Sequence, residues 1–402
     1  MPNSLFSAVE TAPVDPILGI TESFRADSNP RKVNLTIGVY QNDKGVNPVM
    51  SSVKQAEKRW LEEETTKAYL GMAGEPRFGE LVRELLLGPE NAVEAAKRAV
   101  TVQAPGGTGA LRVAADFIHT QLPGRGLWIS DPTWPNHNGI LGSAGLTVKT
   151  YPYYDPAAHG MRFDDMRAAL EQVPGGDVVL LHACCHNPTG VDPTAAQWAQ
   201  LAELFQRRAL VPFFDFAYQG LADGLDEDAR GVRIFAEQGL EMLIANSFSK
   251  NFGLYRERVG SLTAVARDTA TAERVLSRLK LTVRSNFSNP PAHGGKIVEI
   301  VLTTPELRQL WMRELTEVRE RIAAMRRLFV ETMAKLDVRR NFGFLLAQKG
   351  MFSFSGIGRE EVLRLRKDYG VYMVENGRIN VAAMTTGNMD YLCKSIAAVI
   401  GK

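Results

Sequence analysis

The apolar run Leu243-Ile244-Ala245 ends at Asn246-Ser247-Phe248-Ser249-Lys250, and Arg258 stands eight residues beyond the lysine. A lysine where a buried strand gives way to a turn is open to desolvation, which lowers an amine's pKa toward the range where it acts as a nucleophile and proton carrier. Ser247, Ser249 and Arg258 suit an anion beside it, the hydroxyls as donors and the guanidinium as a planar fork. A solvated loop lysine fits the same residues, so the rest of the chain has to decide.

Gly106-Gly107-Thr108-Gly109 leads into an apolar helix expected from Ala110 to Ile118. Bare backbone N–H groups and the positive end of a helix at one point suit a phosphate. The stretch lacks the Lys-Ser/Thr ending of a P-loop and the spacing of a dinucleotide fingerprint, so nucleotide binding is the weaker use of it. Asp215 lies between Phe213-Phe214 and Phe216, where a carboxylate is costly unless it meets a cation, and a structural salt bridge meets that need as well as a ligand does. Tyr218, three residues on, can present a phenol to the same place. His182, Cys184, Cys185 and His186 invite a zinc reading, but no second ligand set stands at a familiar spacing; packed thiols and hydrogen-bonded histidines, with no metal, are the reading taken. Trp134, between Pro132 and Pro135, belongs to a loop where its face can cover a flat ring. Arg284 and Arg378 fall in sequences that read as turns, where arginines are commonly solvated.

The elements that position these residues follow from short apolar runs. Val100-Thr101-Val102-Gln103, Leu127-Trp128-Ile129, Val178 to Leu181, Val211 to Phe214 and Leu243 to Ala245 read as strands, the last three spaced like successive parallel strands with crossover helices between them. Asp192-Pro193 reads as a helix cap with proline at the first helical position, followed by Trp198, Leu201, Leu204 and Phe205 on one face. The polar clusters fall just after the runs, at the carboxyl ends of strands, where open α/β sheets bind ligands. The fold class is therefore α/β with a mostly parallel sheet flanked by helices. Val33 to Ile37 alternates like a strand, 51 to 63 looks helical, and Tyr69-Leu70-Gly71 sits in a loop. From the cap Thr304-Pro305 one helical pattern runs for about 30 residues, on the order of 45 Å, with an apolar stripe from Leu307 to Leu336. Strands near 351–354 and 371–374, a helix near 359–368 and a final helix complete the chain. The first 30 residues, with Pro2, Pro13, Pro16 and Pro30, look like an arm that needs something else to hold it, a partner subunit being one candidate.

The chain has 402 residues, 45% hydrophobic and 23% charged, with a net charge of +2, ordinary values for a folded globular protein. No concentrated basic face is indicated, which argues against nucleic acid or acidic lipid as the main partner. Three cysteines, two of them adjacent, point to free thiols in a reducing compartment. With no signal-like n-region and no long apolar run, a cytoplasmic location without membrane contact is the expectation.

Taken in order, Pro105-Gly106-Gly107-Thr108-Gly109-Ala110-Leu111-Arg112, His186-Asn187-Pro188-Thr189-Gly190, Asp215-Phe216-Ala217-Tyr218-Gln219-Gly220, Ser247 to Tyr255 and Ser288-Asn289-Pro290-Pro291 resemble the fold-type I pyridoxal-phosphate aminotransferases, in the aspartate and aromatic amino-acid subgroup. The likeness runs from about Asp15 to the C-terminus. It implies a large cofactor-binding domain over 48–314, a smaller α/β domain built from both chain ends (15–47 and 315–402) and an arm over 1–14. By this resemblance Lys250 carries pyridoxal 5'-phosphate covalently. Gly107, Thr108, Ser247, Ser249 and Arg258 hold its phosphate, with Tyr69 reaching in from the second subunit of a homodimer. Asp215 faces the pyridine nitrogen, Asn187 and Tyr218 the phenolic oxygen, and Trp134 stacks on the ring. Arg378, near Gly38 and Asn187, takes the substrate's α-carboxylate, and Arg284 of the neighbouring subunit takes a distal carboxylate. The implied activity is transfer of an amino group from aspartate to 2-oxoglutarate by a ping-pong path, with tyrosine and phenylalanine open as further substrates. An aromatic amino-acid aminotransferase is the alternative. A lyase using the same cofactor would not need both arginines, and a non-catalytic protein on this fold would not need the filled catalytic positions.

Overall fold

The computed structural model describes residues 6–11, 18–336 and 338–401. The expected boundary between arm and small domain, with Pro2, Pro13 and Pro16, lies outside the described residues. Seven strands, β1 (Ala99–Pro105), β2 (Leu127–Asp131), β3 (Val148–Pro152), β4 (Val178–His182), β5 (Val211–Phe216), β6 (Met242–Ser247) and β7 (Val259–Val265), form one sheet in the order β1-β7-β6-β5-β4-β2-β3. β7 runs antiparallel to both neighbours, and the remaining pairs are parallel.

Both faces of this sheet are covered, which is why its central strands read as continuous apolar runs rather than alternating ones. Val178, Leu180, Phe213, Leu243, Ala245 and Leu262 pack under the helix Gly106–Gln121, while Val179, Leu181, Phe214, Phe216, Met242 and Ile244 belong to the larger core on the other face. Successive side chains alternate between faces, so His182, Asp215 and Ser247, at the strand ends, share the face of the helix at 106–121. Register brings them level: His182 pairs with Asp215 across β4 and β5, and Asp215 with Ala245 across β5 and β6.

The ends of the chain meet beside this sheet. Val33–Asn34 pairs in parallel with Val371–Tyr372, and Phe352–Phe354 pairs antiparallel with Arg378–Asn380. Asn380 fastens the two, its N–H donating to the Leu35 carbonyl and its side chain to those of Ile37 and Val39. The helix Pro305–Ala334 has the expected length and cap position. Toward its start Trp311 stacks on Phe252 with centroids 4.4 Å apart and donates to the Asn251 carbonyl, while its far end packs against 343–347 and the last helix, Thr386–Ile400.

Several sequence expectations need correction. The strand expected over 33–37 is hydrogen-bonded as a ladder only at Val33–Asn34. The helix expected from Ala110 already begins at Gly106, so the glycine-rich stretch is its first turn. Asp192 caps no helix: the next helix spans Ala195–Arg208, with Thr194 and Gln197 forming a reciprocal capping box. The Asp192 carboxylate instead accepts from the N–H groups of Cys185 and His186 at 2.7 and 2.8 Å. Neither Arg284 nor Arg378 lies in a turn: Arg284 is in the last turn of the helix Thr269–Asn286, and Arg378 opens a strand.

Candidate active site

A cavity of about 880 Å³ opens at the carboxyl ends of β4, β5 and β6. Gly38, Gly107, Thr108, Trp134, Asn187, Asp215, Tyr218, Ser247, Ser249, Lys250, Arg258 and Arg378 all line it. Tyr69 and Arg284 do not. Tyr69 is 93% exposed, and Arg284, also exposed, donates to Ser288 Oγ outside the cavity.

The lysine and the anion donors are brought together by a chain reversal. The chain leaves β6 at Ser247 and returns as β7 at Val259, and the Phe248 N–H donates to the Val259 carbonyl at 3.0 Å, closing residues 248–258 into a loop. Arg258, at the return point, holds the left-handed backbone at φ 55°. Its Nη1 donates to the Tyr255 carbonyl at 2.9 Å and to Ser249 Oγ at 3.4 Å, and Ser247 Oγ donates to Ser249 Oγ at 3.1 Å. The first turn of the helix at 106–121 approaches so closely that a Cβ on Gly106 would lie 2.3 Å from Arg258 Nη2. Two hydroxyls, a guanidinium and the free N–H groups of a helix start thus converge, a donor set for a phosphate.

Lys250 is partly buried, and its ammonium lies 4.6 Å from the Tyr218 ring centroid. Desolvation pulls its pKa down to about 8 against the opposing pull of the Asp215 carboxylate, and the Arg258 charge adds to the fall. Asp215 is buried; burial alone would raise its carboxyl, but the hydrogen bond and charge of His137, with His182 and Lys250, outweigh this and hold it below the ordinary carboxylate range. His137 Nε2 lies 2.9 Å from Asp215 Oδ2, its Nδ1 lies 2.8 Å from Thr133 Oγ1, and that hydroxyl lies 3.1 Å from His182 Nε2. The sequence reading missed His137; the one available signal was the need of a buried Asp215 for a donor. Burial, aided by the His137 charge, depresses His182 to about 3, which keeps it neutral. The Tyr218 phenol, also buried, is pushed up and stays protonated.

Across the cavity Arg378 is only 3% exposed. Nη1 donates to Asn187 Oδ1 at 3.2 Å, Nη2 to the Thr36 carbonyl at 2.7 Å, and the guanidinium carbon sits 4.2 Å from the Phe352 ring centroid. Its Nε has no partner among the described residues, and no carboxylate neutralises it. Desolvation lowers its pKa to about 10, still cationic at neutral pH. Gly38 is required here because a Cβ would lie 2.8 Å from the Phe352 ring.

The sequence-suggested histidine–cysteine cluster is divided. His186 lies between Ser130 and Thr189 hydroxyls at 2.9 and 2.8 Å and stacks on Tyr153, whereas Cys184 and Cys185 face Asp228 instead. All three cysteines are buried free thiols.

A phosphate cradle, a carboxylate held ionised and a deprotonable amine between them fit pyridoxal phosphate, which has a phosphate, a basic ring nitrogen and an aldehyde. The fold and this cavity therefore define an enzyme that works through pyridoxal phosphate. The family model for aminotransferase class I and II matches residues 30–396, and the chain belongs to that family. It is 52% identical over 396 residues to the aspartate aminotransferase of Escherichia coli, covering 98% of this chain and 100% of the relative. It is 46% identical over 396 residues to the aromatic-amino-acid aminotransferase of Pseudomonas aeruginosa, covering 98% and 99%. Its fold is similar to that of the aromatic-amino-acid aminotransferase from Burkholderia pseudomallei covalently bound to pyridoxal phosphate, with a TM-score of 0.97, 50% identity and coverage of 99% and 100%.

Proposed function

We propose that this enzyme transfers the amino group of aspartate to 2-oxoglutarate in two half-reactions, with tyrosine and phenylalanine as slower donors. The observation that carries this reading is the pairing, in one cavity, of a partly buried amine depressed to about 8 with a buried arginine that lacks an anion. Pyridoxal phosphate, when bound, supplies an electron-withdrawing ring that makes the substrate's Cα proton acidic. Lys250 carries it; Gly107, Thr108, Ser247, Ser249 and Arg258 hold its phosphate. Asp215, kept ionised by His137, would hold the ring nitrogen protonated; Asn187 and Tyr218 would donate to the phenolic oxygen, and Trp134 would cover the ring.

Arg378 binds the α-carboxylate and so orients the Cα–H bond toward Lys250 Nζ, which takes that proton. An amine at its ordinary value would be almost wholly protonated at neutral pH and unable to accept it; one near 8 keeps a useful unprotonated fraction. The second carboxylate of aspartate needs a second cation, and this chain's own Arg284 does not line the cavity but is exposed and donates to Ser288 Oγ. We infer a homodimer in which Arg284 and Tyr69 enter the partner's cavity, consistent with exposed Phe6, Val9, Leu61 and Tyr69. We further propose that the segments at 15–47 and 315–402 act as one small domain over the cavity, with 48–314 as the large one. The apolar wall of Ile37, Leu111, Tyr255 and Phe352 is what allows an aromatic side chain to be accepted as the slower donor.

Steady-state rates with aspartate, tyrosine and phenylalanine, each with 2-oxoglutarate, test the assignment. Aspartate is expected to give the highest kcat/KM. Undetectable aspartate turnover would overturn the reading in favour of an aromatic enzyme.

A further inference from the structure

A second cavity, of about 290 Å³, shares no lining residue with the first. One wall is the inner side of the helix Pro305–Ala334, with Arg319, Arg326 and Arg327 at i, i+7 and i+8, spacings that share a helix face. The facing walls are Leu221–Asp223, beyond the end of β5, and Gln348–Gly350. Its volume matches that of roughly ten waters, ample for a small ion that keeps part of its hydration.

Arg326 is the decisive residue. Only 5% of it is exposed, yet its partners are uncharged: Nη2 donates to the Gly350 carbonyl at 2.5 Å and Nε to Ser353 Oγ at 3.4 Å. Its Nη1 has no hydrogen bond among the described residues, and no carboxylate pairs with it. Arg319 spends its guanidinium on the Gly220 carbonyl and Thr316 Oγ1, again uncharged. Arg327 is exposed and forms no ion pair among the described residues. The fourth cation, Lys349, pairs with Asp223, the one carboxylate in the lining. Three arginines therefore line one small cavity without an acidic partner among the described residues. A buried cation left in that state is costly, and an anion relieves the cost.

We propose that this cavity binds inorganic phosphate. Three guanidiniums lining one cavity offer more donors than a monocarboxylate's two oxygens can accept, whereas phosphate has an oxygen for each arginine and more than one negative charge at neutral pH. Bound there, it bridges the long helix to the loop after β5 and to the segment before Phe352.

The test is a titration of the holoenzyme with inorganic phosphate in chloride buffer, followed by phosphorus NMR. Arg326→Met removes a buried contact to Gly350 and risks the fold, so the exposed Arg327→Glu carries the test, with Arg313→Glu on the same helix but outside the cavity as control. One phosphate per chain is expected beyond any that competes with aspartate. Its dissociation constant should rise at least tenfold in Arg327→Glu and stay within twofold in Arg313→Glu. Competition between phosphate and aspartate reads the catalytic cavity and should be the same in all three proteins. The proposal is overturned if no phosphate binds outside that competition, if Arg327→Glu binds like the parent, or if Arg313→Glu weakens binding equally, which would mark diffuse charge attraction.

Discussion

The proposed mechanism divides the chemistry among two arginines and one lysine, and their separate replacement tests the roles assigned to them. Lys250→Ala should lower turnover by at least about 10²- to 10⁴-fold, the range for a positioned proton carrier, while substrate still binds. Arg378→Lys retains the charge but loses the planar fork, so kcat/KM should fall roughly 10- to 100-fold, the equivalent of a charged hydrogen bond. That loss should be alike for aspartate and phenylalanine, since both carry an α-carboxylate; equal sensitivity of both to Arg284→Ala instead would contradict the assignment. The Lys250 shift also has a stability consequence in cofactor-free protein. Below about pH 8 the amine is charged in folded and unfolded chains alike, and the fold bears its desolvation cost. Between about 8 and the unfolded value near 10.5 the unfolded chain binds more protons, so stability rises with pH. Allowing for water in the open cavity, the gain is on the order of 2 kcal/mol. Urea unfolding at pH 7.5 and 10 should show it in the parent and not in Lys250→Met. Lys250 and Asp215 stood out in sequence because Lys250 follows a strand-like apolar run by a few mostly polar residues and Asp215 interrupts another, which places both near strand ends. Arg378 looked solvated because Asn376-Gly377 marks a turn, and its burial under Phe352 depends on a strand pairing that local sequence does not encode.

At the level of elements, the strand ends were readable and the contacts between distant elements were not. The runs at 178, 211 and 243 carried both the strands and their parallel order, because a strand covered on both faces must be continuously apolar. Asp192-Pro193 misled because it imitates a cap, whereas the hydroxyl of Thr194, two residues on, meets the free N–H of Gln197. Glu314 was invisible for another reason. On a 30-residue helix it resembles any solvated charge. Its carboxylate nevertheless accepts from the N–H groups of Ser51 and Ser52 and from the Ser52 hydroxyl, at 2.5, 3.1 and 2.6 Å. The helix Ser51–Glu63 has Met50 at its cap position and no side-chain cap of its own, so a residue 263 positions away supplies one. Glu314→Ala should therefore cost about 1–2 kcal/mol, as loss of a helix cap does, measurable as a lower urea midpoint at an unchanged m-value. Turnover at 25 °C should not change, since Glu314 does not line the catalytic cavity.

For the whole molecule, the cavity of one chain is lined by Lys250, by the proposed phosphate donors and by Arg378, the arginine proposed for the α-carboxylate, but not by Arg284. The resemblance in sequence could name Tyr69 and Arg284; no local pattern could show that neither lines its own chain's cavity and that both are exposed. If the site is shared across a two-fold axis, each cavity combines Lys250 of one subunit with Arg284 of the other. Two individually defective variants must then complement. In a mixed dimer of Lys250→Ala and Arg284→Ala, one cavity carries both lesions and the other carries none. Random mixing of equal amounts makes about half the dimers mixed, so roughly a quarter of all cavities are restored. Aspartate turnover should rise to about that fraction of the parent's after the two variants are unfolded and refolded together with pyridoxal phosphate. Each variant refolded alone should stay near its own low rate. Activity no greater than the sum of the separate samples, in a preparation shown to contain mixed dimers, would mean that each cavity is completed within one chain and that Arg284 acts from the chain that carries the lysine.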